Sequence, residues 1–284
     1  MNDELINASQ AISIQKENEN VVFIDATFHL PNSGRNAQEE FNNKHIPNAR
    51  FFDIDKIANQ STDLPHMLPN PKEFCHCMSI LGIKNTDLII IYDNTAFFSS
   101  ARAWWMFKVF GHKKVLILNG GLKAWVENGG KVSNEVNPYN KTNYVNLSYE
   151  EKLCENFENI FDNINSNYDR VIIDARARER FCGRVNEPRP GLRKGHIPKS
   201  KNLPINLLLD SETKCLKSNT EIKKLFEDIG VVDKNTPLTS TCGSGVTAAG
   251  IAFAANRLGF SNIKVYDGSW AEWGSHKKTP IDTN

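Results

Sequence analysis

Apolar and polar positions along the chain alternate between two rhythms. Short runs rich in Val, Ile and Leu, each of a length suited to a buried strand, stand at 21–26 (VVFIDA), 88–93 (LIIIYD) and 115–120 (VLILNG). They recur at 171–176 (VIIDAR), 237–242 (PLTSTC) and 263–268 (IKVYDG). Between them, 100–111 (SARAWWMFKVFG) and 247–259 (TAAGIAFAANRLG) carry apolar residues at helical spacing and close on a glycine suited to a helix C-terminus. Strands alternating with helices predict parallel βαβ units, and so an α/β fold of parallel sheets flanked by helices.

The pattern is also written twice. IDAT (24–27) matches IDAR (173–176), KHIPNA (44–49) matches GHIPKS (195–200), LGI (81–83) matches IGV (229–231), and NGGLKAW (119–125) matches DGSWAEW (267–273). All are offset by 148 to 151 residues, which predicts a duplicated domain. The stretch 129–144 is poor in large apolar residues and rich in Asn, Gly and Pro, as a linker would be. The expected organisation is a first domain over 1–131, a linker over 132–146 and a second domain over 147–284, with a cleft between the domains. In the aligned halves Asp93 falls where Cys242 falls, so one copy has a thiol at the end of its strand and the other does not.

Composition narrows the function mainly by exclusion. With 284 residues, and 34 Lys and Arg against 33 Asp and Glu, the chain has room for two domains and no charge bias toward a nucleic acid or an acidic membrane. No apolar run approaches the roughly 20 residues that span a bilayer. The N-terminus MNDELINASQ resembles neither a signal peptide nor an arginine-rich transit peptide, so cytoplasmic residence is expected, with a mitochondrial location as the alternative. Six cysteines in a chain of this length are too sparse for a secreted disulfide scaffold and are expected mostly as free thiols. Cys75, His76 and Cys77 suggest a metal, but no second ligand pair accompanies them, and neither metal nor cofactor is expected.

The segment with the most chemistry is TCGSGVTAAG (241–250). A cysteine at a strand end that faces a helix N-terminus meets unpaired N–H groups and the positive end of the helix dipole, both of which favour thiolate. Gly243 and Gly245 allow the backbone to curl so that several N–H groups converge on the sulfur. A lone cysteine is ordinarily a small core residue, and Cys75, Cys77, Cys154, Cys182 and Cys215 are read that way. Three other chemistries compete for the loop. A tyrosine-phosphatase loop needs an arginine six positions after the cysteine, where Ala248 stands. A dinucleotide fingerprint fits Gly243-Ser-Gly245-Val-Thr-Ala248, with Asp267 about 20 residues on, and ranks second. A serine nucleophile would need G-x-S-x-G, which is absent here.

With CGSGVTA stand FFDID (51–55), HMLP (66–69), GGLKAW (120–125), EPRPGLRKGHIP (187–198) and YDGSWAEW (266–273). In this order, over nearly the whole chain, they resemble the tandem-domain rhodanese-type sulfurtransferases. The loop resembles that of the 3-mercaptopyruvate branch; thiosulfate-using members carry a basic pair where Gly243 and Ser244 stand, and two neutral residues offer no side-chain cation to a thiosulfate dianion.

The resemblance implies that Cys242 takes sulfur from a small-molecule donor as a persulfide, releasing pyruvate, and passes it to cyanide or to a thiol acceptor such as thioredoxin. It implies an acid network of Ser244, His66 and Asp55, the last two supplied across the cleft by the first domain. Arg180 and Arg189 match the family's pair for the donor carboxylate, with planar bidentate donors suited to it. The N–H groups of Gly243, Ser244, Gly245, Val246 and Thr247 would cradle the persulfide. Thiosulfate:cyanide transfer is the alternative chemistry; a dinucleotide-binding protein and a non-enzymatic sulfur carrier are the alternatives of another class. His45 and His196, in the repeated HIP motif, are expected to be structural, and the five tryptophans to be core or interface residues.

Overall fold

The molecule is seen as a computed structural model that describes residues 4–18, 20–30, 33–95, 97–145, 148–166 and 170–283. The first half forms β1 (Leu5–Ile6), β2 (Val21–Asp25), β3 (Arg50–Phe51), β4 (Leu88–Tyr92) and β5 (Val115–Leu118). The second half forms β6 (Cys154–Glu155), β7 (Val171–Asp174), β8 (Lys201–Asn202), β9 (Leu238–Thr241) and β10 (Ile263–Tyr266). Each set makes one sheet, in the orders β1-β5-β4-β2-β3 and β6-β10-β9-β7-β8, with every pairing parallel. The second order is the first repeated, as the duplication predicts.

All six runs expected as strands are strands, each ending one or two residues earlier than its apolar run. The four remaining strands have two residues each and lie at sheet edges, too short for a period to register. The two expected helices form over Ser100–Val109 and Ala248–Leu258. Gly259, at φ 91°, takes the left-handed position that closes the second. That helix is buried on nearly every side and packs against β9 and β10, which accounts for its run of Ala and Gly.

The chain groups into two compact units, and the grouping differs from the expected boundaries. The first unit comprises Met1–Gln60, Leu68–Glu150 and Asp210–Leu216; the second comprises Ser61–Met67, Glu151–Leu209 and Lys217–Asn284. Most of the expected linker over 132–146 therefore belongs to the first unit. Tyr139 lies under the Arg50 guanidinium, and buried Tyr144 stacks on His112, giving Nδ1 a hydroxyl partner at 3.0 Å. Two aromatic rings in an Asn-rich stretch thus strap it to that core. The expected boundary itself, residues 146 and 147, lies outside the described residues. Each unit also includes seven residues from the opposite half of the sequence, in equivalent positions of the two copies.

Candidate active site

Cys242 follows β9, the central strand of the second sheet. From β7 the chain passes to β8 on one side and later returns to β9 on the other, so the carboxyl ends of β7 and β9 flank a topological switch point. The cysteine is buried, and the loop after it runs into the N-terminus of the helix Ala248–Leu258. The two loop glycines serve different needs. Gly245 sits at φ 75°, where a Cβ is strained. Gly243 has no such φ; its Cβ would stand 3.1 Å from Arg180 Nη2, so its bareness seats a guanidinium against the loop.

Ser269 fastens this loop. Its Oγ accepts the N–H groups of Cys242 and Gly245, each at 3.1 Å, and donates to the Tyr266 carbonyl at 2.7 Å. The N–H groups of Trp270 and Ala271 reach back to the carbonyls of Cys242 and Gly243. Of the five N–H groups expected to face the sulfur, that of Gly245 is thus turned to Ser269, leaving Gly243, Ser244, Val246 and Thr247 as cradle candidates. Ser269 has φ 50°, a left-handed conformation unusual for serine, and its counterpart in the first copy is Gly121, at φ 56°.

Two of the three residues expected in the acid network meet inside the second unit. His66 and Ser244 are both buried, with His66 Nδ1 2.9 Å from Ser244 Oγ. His66 arrives on the segment Ser61–Met67, which is grouped with this unit although it belongs to the first half of the sequence, and it holds φ 62°. Asp55 lies in the first unit, in the short helix Ile54–Ile57, where it is exposed and lines a cavity of about 260 Å³ with Thr27, His29, Arg35 and Asp53.

The arginines differ in kind. Arg176 is buried in an ion network: it donates to Asp174 (Nη2 to Oδ2, 2.7 Å), to Glu187 Oε1 (2.9 Å) and to the Gly195 carbonyl (2.8 Å), and lies over the Trp270 ring. Burial works against its charge, but Asp174 and Glu187 outweigh burial and hold it above the usual range. Arg180 shares Glu187 with Arg176 and keeps about a fifth of its side chain exposed. Arg189 lies two residues beyond Glu187 and is half-buried. Glu187 and Ser269 are not singled out by their sequence motifs, and Arg176 stands there only as one arginine among several. The signal for Ser269 lay in the repeat itself, where DGSW replaces NGGL at a position that otherwise asks for glycine.

His45 and His196 are structural, as expected. The backbone N–H of each donates to a carbonyl late in its own half of the sequence, that of Ser133 or Asp282, and each ring meets the carbonyl of Phe41 or Phe181. The five tryptophans are all buried. All six cysteines are free, and among the described residues no group of three or more His, Cys, Asp or Glu could hold a metal ion.

The model of the rhodanese-like domain matches this chain twice, over residues 7–128 and 157–276. The chain belongs to the rhodanese family. It is 38% identical over 281 residues to thiosulfate/3-mercaptopyruvate sulfurtransferase 1, mitochondrial, of Arabidopsis thaliana, covering 92% of this chain and 73% of that one. It is 37% identical to 3-mercaptopyruvate sulfurtransferase of Mus musculus, covering 93% and 89%. The crystal structure of SseA from Escherichia coli, a 3-mercaptopyruvate sulfotransferase of the rhodanese fold, superposes with a TM-score of 0.85 at 33% identity, covering 94% and 99%. A rhodanese loop, rather than a dinucleotide fingerprint, is what the glycines around Ser244 form.

Proposed function

We propose that this rhodanese is a 3-mercaptopyruvate sulfurtransferase that works through a persulfide on Cys242. The observation that carries the choice of donor is Ser244, a neutral residue in the loop whose hydroxyl lies 2.9 Å from His66 Nδ1. The Cys242 thiolate attacks the donor's sulfur, an S–S bond forms, and the carbon–sulfur bond breaks with its electron pair passing to pyruvate enolate. The enolate needs a proton, and the hydroxyl–imidazole pair, with Asp55 as the third member that the resemblance implies, is the kind of acid network that delivers one. Departing sulfite would need none.

Arg180 and Arg189 bind the donor carboxylate, and the loop N–H groups stabilise the persulfide anion. A dithiol acceptor such as thioredoxin then takes the outer sulfur, becoming a disulfide while the sulfur leaves as sulfide; cyanide takes it as thiocyanate. Free thiols throughout suit a reducing compartment, for which we propose the cytoplasm, with the mitochondrion as alternative because one relative is named mitochondrial. Among the described residues no helix is long and apolar enough to cross a membrane.

Thiosulfate is the second reading, favoured by the double name of the Arabidopsis relative. Initial rates with each donor, following pyruvate from one and sulfite from the other, separate the two. The expected result is a kcat/KM with mercaptopyruvate at least about a hundredfold above that with thiosulfate, the scale of a lost charge-assisted contact pair. The reverse order would overturn the choice of donor.

A further inference from the structure

Glu187 carries a side chain that no step of the reaction uses, yet it is 1% exposed and sits between two cations. Its Oε1 accepts Nη1 of Arg176 at 2.9 Å and Nε of Arg180 at 3.3 Å, and its Oε2 accepts Nη2 of Arg180 at 2.5 Å. Pro188 follows, and a residue before proline is held to extended backbone, so the carboxylate is presented from a segment with little freedom. Asp174, Arg176, Glu187 and Arg180 together carry two negative and two positive charges. No net charge is left buried.

The two arginines depend on Glu187 unequally. Arg176 has Asp174, the Gly195 carbonyl and the Trp270 face besides, and its guanidinium stays in place without Glu187. Arg180 is partly exposed, and the fork of Glu187 grips its Nε and one Nη. A carboxylate on that edge of a planar guanidinium fixes the direction of the opposite edge. The gripped Nη2 itself stands against Gly243, where a Cβ would be 3.1 Å away, so the guanidinium rests on the loop that carries the thiol.

We infer that Glu187 is a positioning residue for donor recognition: its buried carboxylate, anchored on Arg176, aims the Arg180 guanidinium at the loop beside Cys242, ready for the donor's carboxylate. This rests on the reading of Arg180 as a carboxylate binder. Without Glu187, Arg180 has the freedom of a long side chain partly in water, and that freedom must be lost each time a donor binds. The consequence falls on KM, because the guanidinium holds the part of the donor that does not react.

The test is a double-mutant cycle in the full chain, with Glu187→Gln, Arg180→Gln and both together, measuring KM and kcat with mercaptopyruvate. Glu187→Gln keeps shape and one acceptor and removes the charge. The expectation is a KM raised about tenfold or more, the scale of a lost charge-assisted hydrogen bond, with kcat within about twofold. Acting through Arg180, it adds nothing further to the KM of Arg180→Gln.

If Arg180→Gln raises KM while Glu187→Gln does not, or if the two effects multiply, the role of Glu187 is refuted and that of Arg180 stands. If Arg180→Gln leaves KM unchanged, the carboxylate-binding reading itself fails and takes the inference with it. Should Glu187→Gln not fold, Glu187→Asp keeps the charge for Arg176 but shortens the reach to Arg180, and carries the same expectation of a change in KM alone.

Discussion

Asp93 and Cys242 hold the same place in the two copies and meet opposite surroundings. After β9 stands a thiol; after β4 the carboxylate of Asp93 gathers the N–H groups of its own loop. Oδ1 accepts the N–H groups of Thr95 and Phe97 at 3.1 and 3.0 Å, and Oδ2 those of Ser99 and Ser100 at 3.1 and 2.8 Å. The first copy thus sets a carboxylate in the place where the second has a thiol. Its neighbour confirms the difference: a Cβ on Gly121 would strike the Asp93 carbonyl at 2.1 Å, whereas Ser269, the counterpart, has room for a side chain that ties the catalytic loop. Asp93→Ala leaves four donors, three of them buried, without this acceptor, and urea unfolding at pH 7 is expected to show a loss of about 2–4 kcal/mol. A loss below about 0.5 kcal/mol would mean that the loop does not depend on its internal anion. That Asp93 answers Cys242 was legible in the alignment of the halves. That its carboxylate gathers the N–H groups of its loop was not, because hydrogen bonds from a loop to a side chain leave no periodic trace.

At the scale of elements, strands β2 and β7 both end in an aspartate, and their different partners set different electrostatics. Asp174 is matched by the Arg176 guanidinium. Asp25 has Thr27 in that place, which donates its hydroxyl and its N–H but brings no charge. Burial therefore pushes the Asp25 carboxyl up to about 6, against the opposing bonds from Thr27. In the unfolded chain this group loses its proton near pH 4. Between about pH 4 and 6 the native state holds a proton that the unfolded state has lost, so stability falls as pH rises through that window. The deficit, on the order of 3 kcal/mol, persists above it. Asp25→Asn removes the deficit, and its unfolding free energy is expected to gain on that of the wild type from pH 4 to pH 7. A difference that stays constant over that range would contradict a raised Asp25. The long strands and the helices on either side of the loop could be read from apolar runs, since burial on both faces writes itself in Val, Ile and Leu. The two-residue edge strands could not, and neither could the Glu187 network, whose members are set apart only by where the fold brings them.

At the scale of the whole molecule, a duplication visible in short repeated words becomes two sheets of identical strand order, one of which ends its central strand in a thiol. What the words did not disclose is that the compact units trade equivalent segments, so that His66, from the first half of the sequence, is grouped with the unit of Cys242 and Ser244. The half of the sequence without the thiol thus contributes a residue to the unit that has it. The central claim is that Cys242 is the atom-transfer site of this rhodanese, and mass spectrometry of the protein after brief exposure to mercaptopyruvate tests it most directly. The expected result is a gain of one sulfur atom, assigned by peptide mapping to Cys242 and absent in Cys242→Ser, with Cys75, Cys77, Cys154, Cys182 and Cys215 unmodified. Pyruvate released while Cys242 gains no sulfur, or sulfur found on another cysteine in its place, would contradict it.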